Sequence, residues 1–187
     1  MYNVKNKYSV AVDSNALTYL VDVIGENYDP QNDVRRLSLE KLAILRIYFY
    51  TGEPYYVVPT VENEYKNIIE PSTRSIHQNV HGMLLFDYTF SIDENEIANR
   101  TNAYLVWHKR FDDCRIVAEA ELAEIDMLLT CDETMLQHLK VRTKHITLLR
   151  PSELWELLNI PFGARPALAP HESNPLSRKT WWRIGKA

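Results

Sequence analysis

The sequence predicts an α/β fold, a three-layer α/β/α arrangement around a central five-stranded, mainly parallel sheet. Three observations predict it. Short apolar, β-prone runs alternate with longer amphipathic runs, the pattern of successive βα units with helices on both faces. The runs at residues 8–12 and 126–130 are compact, apolar and too short for anything but buried strands. Each is followed at once by a carboxylate, Asp13 and Asp132, where a parallel strand gives way to a helix.

The elements follow in order. Residues 8–12 (Y-S-V-A-V) make the first strand, with Asp13, Ser14 and Asn15 at its tip. A short helix covers 16–24 and a polar loop 25–33. Residues 34–50 form a long helix offering Leu37, Leu42, Ile44, Leu45 and Tyr48 to the core, ended by Thr51 and Gly52. The run 54–59 is β-prone and bracketed by prolines, and reads as the second strand. Thr60 begins a helix to about Ile69, stopped by Glu70 and Pro71; another helix spans 73–85. Residues 88–92 read as a third, more exposed strand, and 93–108 as a helix starting from an acidic turn. Asp112 and Asp113 open a helix in which Ile116, Val117, Ala120 and Ala123 recur at helical spacing. The fourth strand follows at 126–130, and Asp132 lies at the start of the next helix. The fifth strand is 145–149, and Pro151 takes the favoured first-turn position of the last helix.

After Ile160 the character changes. Pro161, Pro166, Pro170 and Pro175 break any helix, so residues 1–160 read as one domain and 161–187 as a basic, Pro- and Trp-containing extension. Arg165, Arg178, Lys179, Arg183 and Lys186 against Glu172 give that extension a charge of +4, leaving −8 on residues 1–160 of a chain whose total is −4. The overall charge argues weakly against nucleic acid; its distribution does not. No apolar run approaches the roughly 18 residues of a membrane span, and the first residues lack the apolar core of a signal peptide. No membrane partner and a cytoplasmic location are the expectation. Cys114 and Cys131 are too few for a disulfide framework. Five glycines with no Gly-rich loop argue against a P-loop or dinucleotide site.

Parallel strands bring the acids at strand tips and helix starts to one sheet edge, where ligands of α/β folds bind. Asp13, Asp113, Asp132 and one of Glu62 or Glu64 belong to that set. Carboxylates gathered so closely repel each other unless pKa values rise or a cation intervenes. Hard divalent ions with oxygen ligands suit such a cluster, and phosphodiester hydrolysis is the reaction class that follows. The plainer reading is that Asp13, Asp113 and Asp132 serve as helix caps, a role aspartate often takes. Their joint placement at one edge weighs against capping alone.

The order Asp13-x-Asn15 after a strand, Val61-x-x-Glu64, Asp113-x-x-Ile116-x-Ala118-x-Ala120 and Leu129-Thr130-x-Asp132 resembles a PIN domain. The resemblance covers roughly residues 7–160. It implies a Mg²⁺- or Mn²⁺-dependent endoribonuclease with Asp13, Glu64, Asp113 and Asp132 as the acidic quartet holding the metal. It further implies that Asn15 orients the first carboxylate, with Asp112 a cap or supporting acid. The partners it implies are an RNA substrate and, in the toxin branch of the family, an antitoxin-like inhibitor; a homodimer is left open. Helix geometry by itself puts Glu62 closer than Glu64 to the face carrying Val61, Tyr65, Ile68 and Ile69, although either reaches a site at the helix start, and nothing separates RNA from DNA. A non-catalytic PIN-like scaffold, binding RNA or protein through the extension, is the rival function.

Other residues have two readings each. Arg115, with Lys109 and Arg110, flanks the acids and could hold phosphate or simply be solvated. Arg178, Lys179, Trp181, Trp182 and Arg183 mix cations with aromatic faces, a composition that binds single-stranded nucleic acid. Packing of the tryptophans on protein is the alternative. His77 and His81 have the i, i+4 spacing of a metal pair, but no glutamate follows His77 as a zinc-protease signature requires.

Overall fold

A computed structural model of the protein describes residues 8–25, 28, 30–87 and 93–185. The elements run β1 (Val10–Val12), α1 (Ser14–Ile24), α2 (Arg35–Thr51), β2 (Tyr55–Val57), α3 (Pro59–Lys66), α4 (Pro71–Leu84) and β3 (Leu85–Asp87). They continue with α5 (Glu94–Leu105), α6 (Phe111–Leu122), β4 (Met127–Leu129), α7 (Glu133–Leu139), β5 (Thr147–Leu149) and α8 (Pro151–Leu157), then a 3-10 turn at Pro175–Arg178. The fold is α/β. The chain divides into two compact units, one holding Tyr8–Leu17 and Pro54–Leu149, the other Thr18–Glu53 and Arg150–Ala187.

The first unit contains the sheet. Its strands lie in the order β3-β2-β1-β4-β5, and every neighbouring pair is parallel. β1, β2, β4 and β5 are described with their side chains, β3 by its backbone pairing with β2. Ala11 stands opposite Tyr56 on one side and Leu128 on the other. The chain builds outward from β1 to β3, then returns to the other side of β1 for β4 and β5. The strand order therefore reverses between β1 and β4. The carboxyl ends of strands at such a reversal are the usual ligand position in parallel sheets. β1 and β4 are buried along their whole length, as expected for continuous apolar runs in a parallel sheet.

α6 crosses this unit as a buried helix, with Ile116, Val117, Ala118 and Ala120 at most 2% exposed. Two of its glutamates are buried as well and tie neighbouring elements together. Glu119 accepts from the Thr60 amide at 2.9 Å and from the Arg115 guanidinium at 2.9 Å, joining α6 to the start of α3. Glu121 accepts from Arg100 of α5 at 2.7 Å and from the amides of Lys144 and His145 at 2.9 and 3.1 Å. The Tyr104 hydroxyl donates to Glu121 as well.

In the second unit α2 packs on α8. α2 ends where expected: Gly52 takes a left-handed φ of 72° and its N–H returns to the Tyr48 carbonyl. The buried Glu40 of α2 accepts from the Ser152 amide and hydroxyl at 2.9 and 2.8 Å, capping the start of α8 from outside. Residues 161–187 belong to this unit. Trp182 is fully buried, its ring 4.8 Å from Phe49 and its indole N–H on the Leu176 carbonyl at 3.1 Å. Arg46 donates to the Trp182 carbonyl at 2.8 Å.

Several boundaries differ from expectation. The strands are three residues long, shorter than expected, with single ladder bonds continuing past their ends at Asp13 and Thr130. The region expected as a third strand, 88–92, lies outside the described residues; the strand at this point of the chain is β3, which takes Leu85 from the helix expected to end there. Glu70, expected as a helix stop, instead starts α4, accepting from the Ser72 amide at 3.1 Å and from Ser72 Oγ at 2.5 Å. α5 stops at Leu105, three residues short of the expected His108. The amides of Trp107 and His108 both return to the Tyr104 carbonyl, a tightened last turn that sends His108 inward. Among the described residues no helix is long and apolar enough to cross a membrane.

Candidate functional site

The carboxyl ends of β1 and β4 carry the residues that follow those strands. The Asp13 amide continues the β1–β4 ladder by donating to the Leu129 carbonyl at 3.0 Å, which fixes Asp13 at the sheet edge. Its carboxylate accepts from the Ala16 amide at 2.6 Å, so Asp13 caps α1 from within the site. Thr130, fully buried at the tip of β4, donates its hydroxyl to the Asp13 carboxylate. The same hydroxyl accepts from the Asp132 amide at 3.0 Å. One threonine thus sets the spacing of the two strand-tip acids.

Asp132 divides its two oxygens between structure and site. Oδ1 accepts from the amides of Thr134 and Met135 at 2.8 and 3.0 Å and from the Thr134 hydroxyl at 2.7 Å, capping α7. Oδ2 faces Arg110 Nη1 at 2.9 Å. Asp113, in the first turn of α6, receives a ring N–H of His108, Nε2 to Oδ2 at 2.7 Å. Arg110 Nη1 lies 3.7 Å from the same Asp113 oxygen. His108 is 2% exposed, and its other ring nitrogen is 3.2 Å from Nδ1 of the exposed His138. Glu64, on α3, accepts from the Ser14 hydroxyl.

The four acids act on one another. Asp13 is 4% exposed, and its burial pushes the carboxyl pKa up to about 7 in spite of the bonds from Thr130 and Ala16. The charges of Asp113 and Asp132 push it the same way. Burial also raises the pKa of Glu64; the Ser14 bond and Arg110 oppose that, while Asp112 and Asp113 add to it. At Asp132 burial raises the pKa, but the Met135 and Thr134 bonds together with Arg110 outweigh it, and the net direction is down.

Of the residues singled out in the sequence, Asp13 comes within electrostatic reach of Asp113 and Asp132, and Glu64 of Asp112 and Asp113. The two glutamates of α3 separate: Glu62 pairs with Lys66 one turn on, whereas Glu64 faces Asp112 and Asp113. Asp112 is exposed beside the cluster. Asn15 is exposed in the first turn of α1, and the bonds that fix Asp13 come from Ala16 and Thr130. Arg115 is committed to Glu94, at 2.6 and 3.0 Å, and to Glu119. In the second unit Trp182 is buried, so its ring faces are closed to a stacked base. Trp181 is half-buried in edge contact with Tyr28 at 5.4 Å, and Arg183 lies over the Trp182 ring. Arg178 and Lys179 are exposed.

The remaining candidates have structural roles. His77 stacks on Tyr65, and His81 meets the same ring edge-on and bonds its hydroxyl. Cys114 is fully buried, donates to the His108 carbonyl, and has its thiol pKa pushed up to about 11 by burial, which keeps it a protonated core residue.

Sequence reasoning missed His108 and Ser14 and passed over Thr130 as part of a strand. Leu129-Thr130-x-Asp132 held the signal for Thr130, because a hydroxyl at a strand tip two residues before an acid can bond that acid's amide. His108 carried no such signal, since its direction depends on where α5 ends.

As a donor set the cluster fits a hard divalent ion. It offers carboxylate oxygens in excess over the exposed cation paired with them, Arg110, and the cost of burying Asp13 is one that a bound cation would offset. Among the described residues no three histidine, cysteine, aspartate or glutamate side chains already stand together as a metal cage. No protein-family model matches the chain, and no curated protein is significantly similar to it.

Proposed function

We propose that this protein is a metal-dependent endoribonuclease of the PIN kind, with Asp13, Glu64, Asp113 and Asp132 holding Mg²⁺ or Mn²⁺. The observation that supports this reading is that Asp13 and Asp132, at the tips of the two strands where the strand order reverses, and Asp113 of α6 act on one another's charge, with Glu64 of α3 acting on Asp113. When bound, the ion would lower the pKa of an attacking water and offset charge on the leaving oxygen.

The protein's own residues would orient the donors. Thr130 and the Ala16 amide hold Asp13, His108 holds Asp113, the α7 amides hold one oxygen of Asp132, and Ser14 holds Glu64. Each acid is oriented by at least one such partner, the condition for a preorganised site. Single-stranded or looped RNA fits best, because a scissile phosphate has to reach a narrow acidic edge. Arg110 is exposed beside that edge and supplies positive charge to hold it.

Asp113→Asn tests the assignment. The variant keeps an acceptor for His108 and removes one charge, so it should retain the far-ultraviolet circular dichroism of the parent while losing cleavage of an RNA pool by about 10²-fold or more. Undiminished cleavage would remove Asp113 from the site. Absence of cleavage by the parent in Mg²⁺ and Mn²⁺ would favour the scaffold reading.

A further inference from the structure

We propose that Arg110 is a built-in counter-cation of the acidic site, seated where the divalent ion has to bind and displaced from Asp132 when it does. The inference rests on the nuclease reading of the site.

The geometry makes the two cations exclusive. Asp132 has one oxygen, Oδ1, saturated by the α7 amides and the Thr134 hydroxyl. Its only oxygen open to a metal is Oδ2, and Arg110 Nη1 holds that oxygen at 2.9 Å. The same nitrogen lies 3.7 Å from Asp113 Oδ2, between two of the carboxylates that would hold the ion. Arg110 also acts on Glu64, whose pKa its charge lowers. A single guanidinium therefore compensates three of the four acids. A second cation on Asp132 Oδ2 would meet it at contact distance, and like charges so close are strongly unfavourable.

Arg110 is also built to leave. It is the residue before α6, with φ −86° and ψ 117°, and its side chain makes no cap bond to the helix. The side chain is 66% exposed, so packing does not retain it. Exposed ion pairs of this kind are weak, and a multiply coordinated divalent ion outcompetes them. Arg115 is the contrast: its side chain is 24% exposed, it is clamped by Glu94 and Glu119, and it holds α6 to its neighbours. Metal binding is then an exchange, ion in and guanidinium out, and the apparent affinity for metal is reduced by the affinity of Arg110 for its seat. The released guanidinium stays beside the acids, in position for the phosphate of an incoming strand.

The test is calorimetric titration of Mn²⁺ into the full chain, Arg110→Gln, and Lys109→Gln as a control. The control removes an equal charge one residue away from a side chain that is exposed. Arg110→Gln should bind Mn²⁺ about fivefold or more tightly than the parent, the effect of losing a competing surface pair, and Lys109→Gln should stay within about twofold. Equal or weaker binding by Arg110→Gln, or equal tightening in both variants, overturns the exchange while leaving the metal site standing. Failure of both the parent and Arg110→Gln to bind Mn²⁺ overturns the exchange and the nuclease site together.

Discussion

At Asp13 a helix-start amide and a threonine hydroxyl both favour the charged carboxylate, yet burial outweighs them and carries its pKa to about 7. The consequence for stability has a definite sign. A carboxyl with a folded pKa above its unfolded value binds protons more readily when folded, so its protonated form stabilises the fold at low pH. That contribution is lost as pH rises from about 4 through 7. Asp13→Asn keeps the acceptor for Ala16 and removes the buried charge. In metal-free buffer the variant should exceed the parent in stability by about 1–3 kcal/mol at pH 8, a gap that closes toward pH 4. Urea unfolding at the two pH values measures it, and a gap independent of pH would mean that Asp13 bears no such cost. Thr130 and His108 act at this same scale, Thr130 on Asp13 and Asp132 and His108 on Asp113.

Among the elements, α6 does the most to hold the sheet unit together, and it does so through charge as well as apolar packing. Its buried Glu121 serves Arg100 and Tyr104 of α5 and the two amides that lead into β5. Burial raises the Glu121 pKa, but the bonds from Tyr104, Lys144, His145 and Arg100 outweigh it, so the net shift is downward. A depressed folded pKa gives stability that is present above the unfolded value near 4.3 and lost as pH falls through the folded value. Glu121→Ala would leave a guanidinium, a phenol and two amides without their acceptor, a loss of about 2–4 kcal/mol near neutral pH. Chemical denaturation at pH 7 and pH 3 checks both statements, since the penalty should shrink at the lower pH. A penalty that is small at pH 7 would mean that water replaces the glutamate at no cost.

At the scale of the whole chain, the basic extension is part of a folded unit. Trp182 is buried with Phe49 and Tyr50 around it, and its carbonyl is held by Arg46. Trp182→Ala should cost about 3–5 kcal/mol, the usual result for a large buried aromatic, whereas Trp182→Phe should recover much of it by keeping apolar volume. Thermal unfolding of the two variants decides the matter. Equal, small losses would mean that the tryptophan is dispensable to the fold and would return it to the set of RNA-binding candidates.

The alternation of β-prone and amphipathic runs by itself determined the α/β class and most elements to within a few residues, because apolar periodicity is written locally. It also determined which carboxylates follow strands, and so nominated Asp13 and Asp132. Tertiary structure alone decided the rest. Strand order, which places the reversal between β1 and β4, depends on pairing over more than a hundred residues, as Ala11 with Leu128 shows. That Glu64 and not Glu62 faces Asp112 and Asp113 depended on what stands opposite α3. The inward turn of His108 depended on α5 ending at Leu105, and the seat of Arg110 on the separation of α6 from β4. Local sequence fixes which groups a chain carries to an edge; only packing between distant segments fixes which of them meet.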